Sequence, residues 1–214
     1  MRVICVFVFV VVIVGILSNS VLSLTGEQQR QVVDRARQEV NRRVLYDPSY
    51  KRIKYPGGDI DSSRGVCADV IVRALRAIGL DLQKAICEDR KNCPKAYGKG
   101  HPDRNLDHRR CRNQIIWMKR QAEQLTVKAG SAELSKWQSG DLVYWDLDGK
   151  GLLHVGVISN MKGIDGITPR VIHNIGPYAT ENDVLPEWKI IYHFRVKAPI
   201  IKPAAKRASV LALK

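Results

Sequence analysis

Three residues of this chain carry groups that could work together on a carbonyl: Cys67, His154 and His173. A thiol attacks as its thiolate, and the first turn of a helix lowers a thiol pKa through its dipole and free N–H groups. Cys67 stands at such a place, within Gly65-Val66-Cys67-Ala68-Asp69. Behind it Val70, Ile71, Ala74, Leu75 and Ile78 follow i, i+3, i+4 spacing, and Gly79 is a natural stop. Taken alone, Cys67 reads equally as a buried cysteine acting as a small hydrophobe. His154 shifts that balance, because it interrupts the apolar strand Leu152-Leu153-His154-Val155-Gly156-Val157-Ile158. His173, in Val171-Ile172-His173-Asn174, falls on the next expected strand. If the two strands pair as a hairpin the imidazoles meet, which supplies the orienting third group that a Cys–His pair needs.

Other residues offer supporting roles. Asn174 is an alternative orienter, although period-2 alternation turns it to the opposite face from His173. Tyr55 precedes the turn segment Pro56-Gly57-Gly58-Asp59, and its hydroxyl could stabilise an oxyanion near Cys67. The plainer reading of Tyr55 is a packing aromatic. Asp107-His108-Arg109-Arg110 is a candidate substrate-binding run, since an arginine can hold a carboxylate bidentately. The same run could instead be a salt-bridge network pinning a long loop. His101, Asp103, Asp107 and His108 match no metal-ligand spacing with a mechanism behind it, so neither a metal nor any other cofactor is expected. His193, before Phe194 on the last strand, reads as structural.

The elements that must position these groups follow from the pattern. Thr25-Gly26-Glu27-Gln28 is a capping box, and Val32, Ala36, Val40 and Val44 then recur on one helical stripe. Leu82 to Ala96 predicts a weak, short helix stopped near Pro94. Gly98 to Arg112 reads as a long ordered loop, followed by a helix over Asn113 to Gln124. Strand-like runs come next at Leu142–Trp145, Leu152–Ser159, Arg170–His173 and Lys189–Val196. Asp148-Gly149, Lys162-Gly163 and Asp165-Gly166 punctuate them as hairpin loops. Helices first and an antiparallel sheet after make an α+β fold in one domain, residues 24–197.

Length and charge bound the remainder. The chain has 214 residues, 45% hydrophobic and 26% charged, which excludes a disordered, collagen-like or multi-span membrane protein. Its net charge is +14. That fits a partner that is an anionic polymer or lipid as readily as a nucleic acid, but no nucleic-acid signature accompanies it. Met1-Arg2, the apolar run Val3–Leu17 and the small-residue exit Ser18 to Ser23 form a secretory leader pattern over residues 1–23. An uncleaved anchor is the alternative, and membrane contact is expected only through that segment. Both readings place the remainder in the periplasm or otherwise outside the cytoplasm. Residues 198–214 read as a loose basic tail. Cys5 lies in the leader; of Cys87, Cys93 and Cys111, two could pair in an oxidising compartment, with the pairing left open.

Five pieces occur in order: Tyr55-Pro56-Gly57-Gly58; Gly65 to Val70; Ser139-Gly140-Asp141-Leu142-Val143; His154 to Ser159; and His173-Asn174. Together they resemble the papain-like NlpC-type cysteine peptidases. More closely, the chain resembles the bacterial domain-of-unknown-function family 1287, through Gly65-Val66-Cys67, Asn105-Leu106-Asp107-His108-Arg109-Arg110, Gly140-Asp141, His154-Val155-Gly156 and His173-Asn174-Ile175-Gly176. The resemblance spans Arg30 to Val196 and implies a papain-like NlpC-type fold. It also implies Cys67 as nucleophile, His154 as general base and acid, and His173 as the orienting residue. The broader family carries Asp-Cys-Ser where this chain has Val66-Cys67-Ala68, so the usual flanking polar groups are missing. Asp69 then either compensates from within the helix or caps its first turn. The function so implied is an exported thiol hydrolase that cleaves an amide bond in cell-wall peptide through a thioester. The rival is a non-catalytic module binding the wall or another anionic envelope polymer.

Overall fold

The computed structural model describes residues 23–198. The leader expected over residues 1–23 and the basic tail of 198–214 therefore lie, apart from Ser23 and Ala198, outside the described residues. Among the described residues no helix is long and apolar enough to cross a membrane.

Helix α1 (Gly26–Asn41) begins at the expected capping box: the Thr25 hydroxyl accepts the Gln28 N–H, and the Gln28 side chain accepts the Thr25 N–H. Val32, Val33 and Ala36 are buried. The apolar stripe extends to Val44, but the helix stops earlier because Arg43 takes a positive φ of 51°. Val44 is buried from an extended segment instead, leading into the short strand β1 (Leu45–Tyr46). β1 pairs in parallel with β2 (Arg64–Gly65), which feeds directly into α2 (Cys67–Arg76).

Helix α2 is buried from Cys67 to Leu75, including the side chains of Asp69 and Arg73. A buried guanidinium must have every donor paired. Arg73 meets Glu39 of α1 at 2.5 Å and Asp59 at 2.9 and 3.1 Å, and it donates to the carbonyls of Asp61 and Arg64. One side chain thus ties α1, α2 and the loop between β1 and β2 into a single unit. Gly79 takes a φ of 82° just beyond the helix, as the stop signal requires.

The helix expected over Leu82 to Ala96 is two helices, α3 (Leu82–Asn92) and α4 (Pro94–Tyr97). Pro94 lacks an N–H, so it ends one helix but fits the first position of the next. The long loop that follows closes with a 3-10 turn at Asp107–Arg109. Helix α5 (Cys111–Gln121) starts two residues earlier than its pattern suggests, making Cys111 its first residue. Gln121 then leads to β3 (Glu123–Gln124).

The six-stranded antiparallel sheet contains β3, β4 (Leu142–Asp146), β5 (Leu153–Lys162), β6 (Pro169–Asn174), β7 (Ala179–Asn182) and β8 (Lys189–Arg195). Its order is β3-β8-β4-β5-β6-β7. The four apolar runs become the central strands. The edge strands β3 and β7 are short and polar, the usual form of a protected edge, and carry no apolar period to betray them. On one face Leu142, Tyr144, Val155, Val157, Ile172 and Phe194 pack against the helices. On the other, Val143, Trp145, Ile158 and Val171 pack against Leu134, Trp137 and Leu185. Burial on both faces is why β4 reads as a continuous apolar run rather than an alternating one. The arrangement is α+β, as expected.

Gly140 and Asp141 hold one end of this sheet. Gly140 has a φ of 85°, and the Asp141 carboxylate accepts from Arg195 and His193, whose ring stacks on Trp137 at 3.7 Å. His193 is therefore structural, as its position suggests.

Gly156 of β5 lies opposite His173 of β6. A Cβ there would stand 2.4 Å from Val171 Cγ1 and 3.3 Å from His173 Cβ. Gly156→Ala is expected to destabilise the protein by about 1–3 kcal/mol through this overpacking, read as a lower urea midpoint with an unchanged slope.

Candidate active site

The two histidines meet through the hairpin. His154 lies two residues before Gly156 and therefore on the same side of β5, diagonal to His173. With no side chain at Gly156, the rings approach until His154 Nε2 and His173 Nδ1 are 2.9 Å apart. Both are buried. Burial, and then the neighbouring His154, push the His173 pKa down to about 3, so this ring is neutral at ordinary pH. The two rings share a hydrogen bond through His154 Nε2 and His173 Nδ1, and His173 Nε2 lies 3.4 Å from Thr180 Oγ1. Trp145, opposite His154 across β4 and β5, lies nearly parallel to its ring at 5.6 Å. Trp188 stands edge-on to both imidazoles. The dyad is thereby screened from water and fixed in orientation.

Cys67 is the first residue of α2, as its local sequence suggests. Its pKa is lowered most by hydrogen bonding from the Cys111 thiol, and further by hydrogen bonding and charge from His154 and by the Val155 backbone, all against the opposing effect of burial. The Cys67 and Cys111 sulfurs are 3.6 Å apart. The Cys111 pKa moves up in turn, because its proton is held by the neighbouring thiolate. Ionisation is therefore favoured at Cys67 over Cys111, with Cys111, His154 and the Val155 backbone all stabilising its thiolate.

What holds Cys67 and Cys111 in line is Asp69. Its Oδ2 accepts the Val66 N–H at 2.7 Å, closing the first turn of α2. The same carboxylate takes a bidentate pair from Arg109, Nε to Oδ1 at 2.8 Å and Nη2 to Oδ2 at 2.9 Å. Arg109 lies two residues before Cys111, so this ion pair joins the N-terminus of α2 to that of α5. Gln114 reinforces the join. Its amide donates to the carbonyls of Ala68 and His108, and its oxygen accepts from Tyr144. Asn174 acts from the other side, donating to the carbonyls of Val44 and Gly65 and so tying β6 to the strands that lead into Cys67.

The sequence-based assignments divide accordingly. Cys67, His154 and His173 come together, and Asp69 and Asn174 support them structurally. Tyr55 does not join them. Its hydroxyl sits against Cys87, which with burial pushes its pKa up to about 12, and Arg104 lies over its ring. Counting residues along the chain does not reveal that Tyr55 faces Cys87 of α3 and not Cys67 of α2. Tyr46 of β1 lines the Cys67 cleft instead, and burial followed by the proximity of Cys67 raises its pKa. No spacing rule pointed to Tyr46, because β1 is two residues long.

The Asp107–Arg110 run is mostly framework. Asp107 accepts from Arg90 at 2.9 Å, and Arg109 is spent on Asp69. His108 is buried, its pKa lowered to about 4 chiefly by that burial. Arg110 alone of the four is exposed, on the rim of the cleft. Cys87, Cys93 and Cys111, two of which could have paired, are free thiols, as is Cys67. Cys93 accepts from Arg120, and Cys111 faces Cys67 because α5 begins at that residue.

The cleft has a volume of about 390 Å³. Tyr46, Pro48, Leu106, Gly151 and Leu153 form its apolar part beside Cys67 and Cys111, and Arg109, Arg110 and Arg112 its basic part. Among the described residues no acidic side chain lines it.

Three outcomes follow from this geometry. Alkylation of Cys67, followed by peptide mass mapping, is expected to persist well below the ordinary thiol range as pH is lowered. Cys111→Ala removes the largest stabilising contact of the thiolate and is expected to move that profile up in pH. Asp69→Ala leaves Arg109 buried without a counter-ion and is expected to cost about 3–5 kcal/mol of stability in urea unfolding.

With the site in view, comparison with known proteins places the chain. It is 42% identical over 180 residues to "Uncharacterized protein YijF" of Escherichia coli (strain K12), covering 82% of this chain and 85% of that protein. No solved structure matches. The family described as "Domain of unknown function (DUF1287)" matches residues 33–196, a span that holds Cys67, His154 and His173 alike, and the chain belongs to that family.

Proposed function

We propose that this protein is a thiol hydrolase of papain-like, NlpC-type architecture that cleaves an amide bond in cell-wall peptide outside the cytoplasm. The observation that carries the reading is the Cys67 thiol at a helix N-terminus, its pKa lowered by Cys111 and then by His154, with His154 Nε2 2.9 Å from His173 Nδ1. Nucleophile, proton carrier and orienting group are the three parts of a thiol acyl-transfer site.

The steps follow from those parts. Cys67 Sγ attacks the amide carbonyl carbon, and the carbonyl π electrons move to oxygen. The N–H groups of Cys67 and Ala68 precede the first backbone bonds of α2, which run from Asp69 and Val70 to the Val66 carbonyl, and so can receive the oxyanion. Tyr46, on the same cleft, is a further donor candidate in the role expected of Tyr55. His154 gives its proton to the departing amine as the C–N bond breaks, leaving a thioester. His154 then takes a proton from water, whose oxygen attacks the thioester carbon; the C–S bond breaks, the acid leaves and the thiolate returns.

Substrate chemistry is read from the rim. Arg110 and Arg112 are exposed beside the thiol, with no acidic lining residue to pair them. Peptides of the wall carry carboxylates, and a charge-assisted bond from Arg110 to one contributes about 1.5–3 kcal/mol. The net charge of +14 suits an anionic envelope in the same way.

Purified wall fragments incubated with the protein test the reading by mass spectrometry of the released peptides. Cys67→Ala is expected to abolish release. Tyr46→Phe is expected to lower kcat by about 10²-fold if its hydroxyl donates to the oxyanion. Arg110→Ala is expected to raise KM by about ten-fold or more while kcat holds. Undiminished release by Cys67→Ala refutes the mechanism. Wall co-sedimentation without release, indifferent to Cys67→Ala, identifies a binding module instead.

A further inference from the structure

The hydrolase mechanism uses one thiol, but the cleft contains two. Cys67 and Cys111 are each the first residue of a helix of ten residues or more, and both line the same opening. Their sulfurs are 3.6 Å apart, so closing to a disulfide bond of ~2.05 Å asks for roughly 1.5 Å of movement. They differ in character. The pair lowers the Cys67 pKa and raises that of Cys111. That asymmetry is what thiol–disulfide exchange requires: one sulfur ready to attack and a second ready to displace it. The other described cysteines do not compete, since Cys87 sits against Tyr55 and Cys93 against Arg120.

We propose that Cys67 and Cys111 form a reversible dithiol–disulfide pair that reacts with external disulfides and, when closed, removes the nucleophile from service. The inference deepens the hydrolase reading of the same site, and its chemistry stands whether or not that reading does. In the first step the Cys67 thiolate attacks one sulfur of a small-molecule or protein disulfide. A mixed disulfide forms at Cys67 and the first external thiolate leaves, taking the proton held by His154. The Cys111 thiol then gives up its proton and attacks Cys67 Sγ. The Cys67–Cys111 bond forms, and the second external thiolate leaves with that proton. Two protein thiols are oxidised, and one external disulfide is reduced to two thiols. A dithiol reductant runs the sequence backward.

The arrangement explains features that the hydrolase mechanism alone leaves idle. A polar serine or asparagine beside Cys67 could stabilise a thiolate, yet the group present is a second thiol. It is placed by a buried ion pair, Asp69–Arg109, and a buried amide, Gln114, that together set the start of α5 against the start of α2. Rigid placement of this kind lowers the entropic cost of closing the bond.

The test uses the full protein, reduced and then titrated with oxidised glutathione, with peptide mass mapping after alkylation. The expected result is loss of two alkylatable thiols, a linked peptide joining Cys67 to Cys111, and no retained glutathione. Dithiothreitol is expected to restore Cys67 alkylation. In Cys111→Ser, glutathione is expected to remain on Cys67, because the displacing thiol is gone. In Cys67→Ser, no linked peptide is expected, and glutathione taken up by Cys111 is expected to stay there, because no second thiol remains to displace it. Glutathione retained on wild-type Cys67 with Cys111 still alkylatable overturns the proposal, as does a bridge from Cys111 to Cys93. Where wall-fragment hydrolysis is measurable, it is expected to fall in step with bridge formation, and turnover that survives full bridging overturns the switching role. A bridge that forms in a protein whose reduced state releases no peptide supports the exchange and sinks the hydrolase reading.

Discussion

A buried carboxylate with two tasks underlies the site. Asp69 accepts the Val66 N–H and so closes the first turn of the helix that presents Cys67. It also neutralises Arg109, which cannot lose its charge and cannot remain in the interior without a counter-ion. Each function constrains the other. The carboxylate is oriented by the helix end, and the arginine is oriented by the carboxylate. The chain that follows Arg109 therefore starts α5 at one definite position. Cys111 faces Cys67 as a consequence of that position, and the charge on Cys67 is stabilised as a consequence of facing Cys111.

The sheet imposes the second constraint. Its central strands are buried on both faces, so register is fixed by packing on either side. Within that register His173 falls opposite Gly156, and only a residue without a side chain lets the His173 ring lean toward His154. Trp145 and Trp188 enclose the pair with apolar surface. Desolvation keeps His173 neutral, so the pair buries no charge on that ring. The cleft, by contrast, is lined by the loop before α5, the loop before α2 and the start of β5. The candidate site thus sits where a sheet end meets two helix starts, with Arg110 and Arg112 exposed on its rim.

Arg73 performs a related task farther from the thiol. Its five donors require acceptors in a buried setting, and they gather Glu39, Asp59 and two carbonyls around one point of α2. The loop between β1 and β2 is long and carries little apolar surface, so a hydrophobic core alone would not order it. An obligatory hydrogen-bonding centre does. Ordering that loop places β1, and with it Tyr46, on the cleft.

Periodicity and punctuation along the chain already determined the helix of Cys67, the central strands of His154 and His173, and the capping box of α1. These are local properties: side-chain spacing reports which face is buried, and glycine, proline and capping residues report where an element ends. Pairing of His154 with His173 was legible because the strands are consecutive and joined by turn residues. Tyr55 and Tyr46 mark the boundary of such reasoning, because a loop's direction depends on distant acceptors such as the Cys87 thiol and the Pro177 carbonyl. The partnership of Cys67 with Cys111 lies beyond it too. Forty-four residues separate the two thiols, and no period links them. Only the folded chain brings them together, because the buried charges of Asp69 and Arg109 must meet, and meeting sets one helix start against the other.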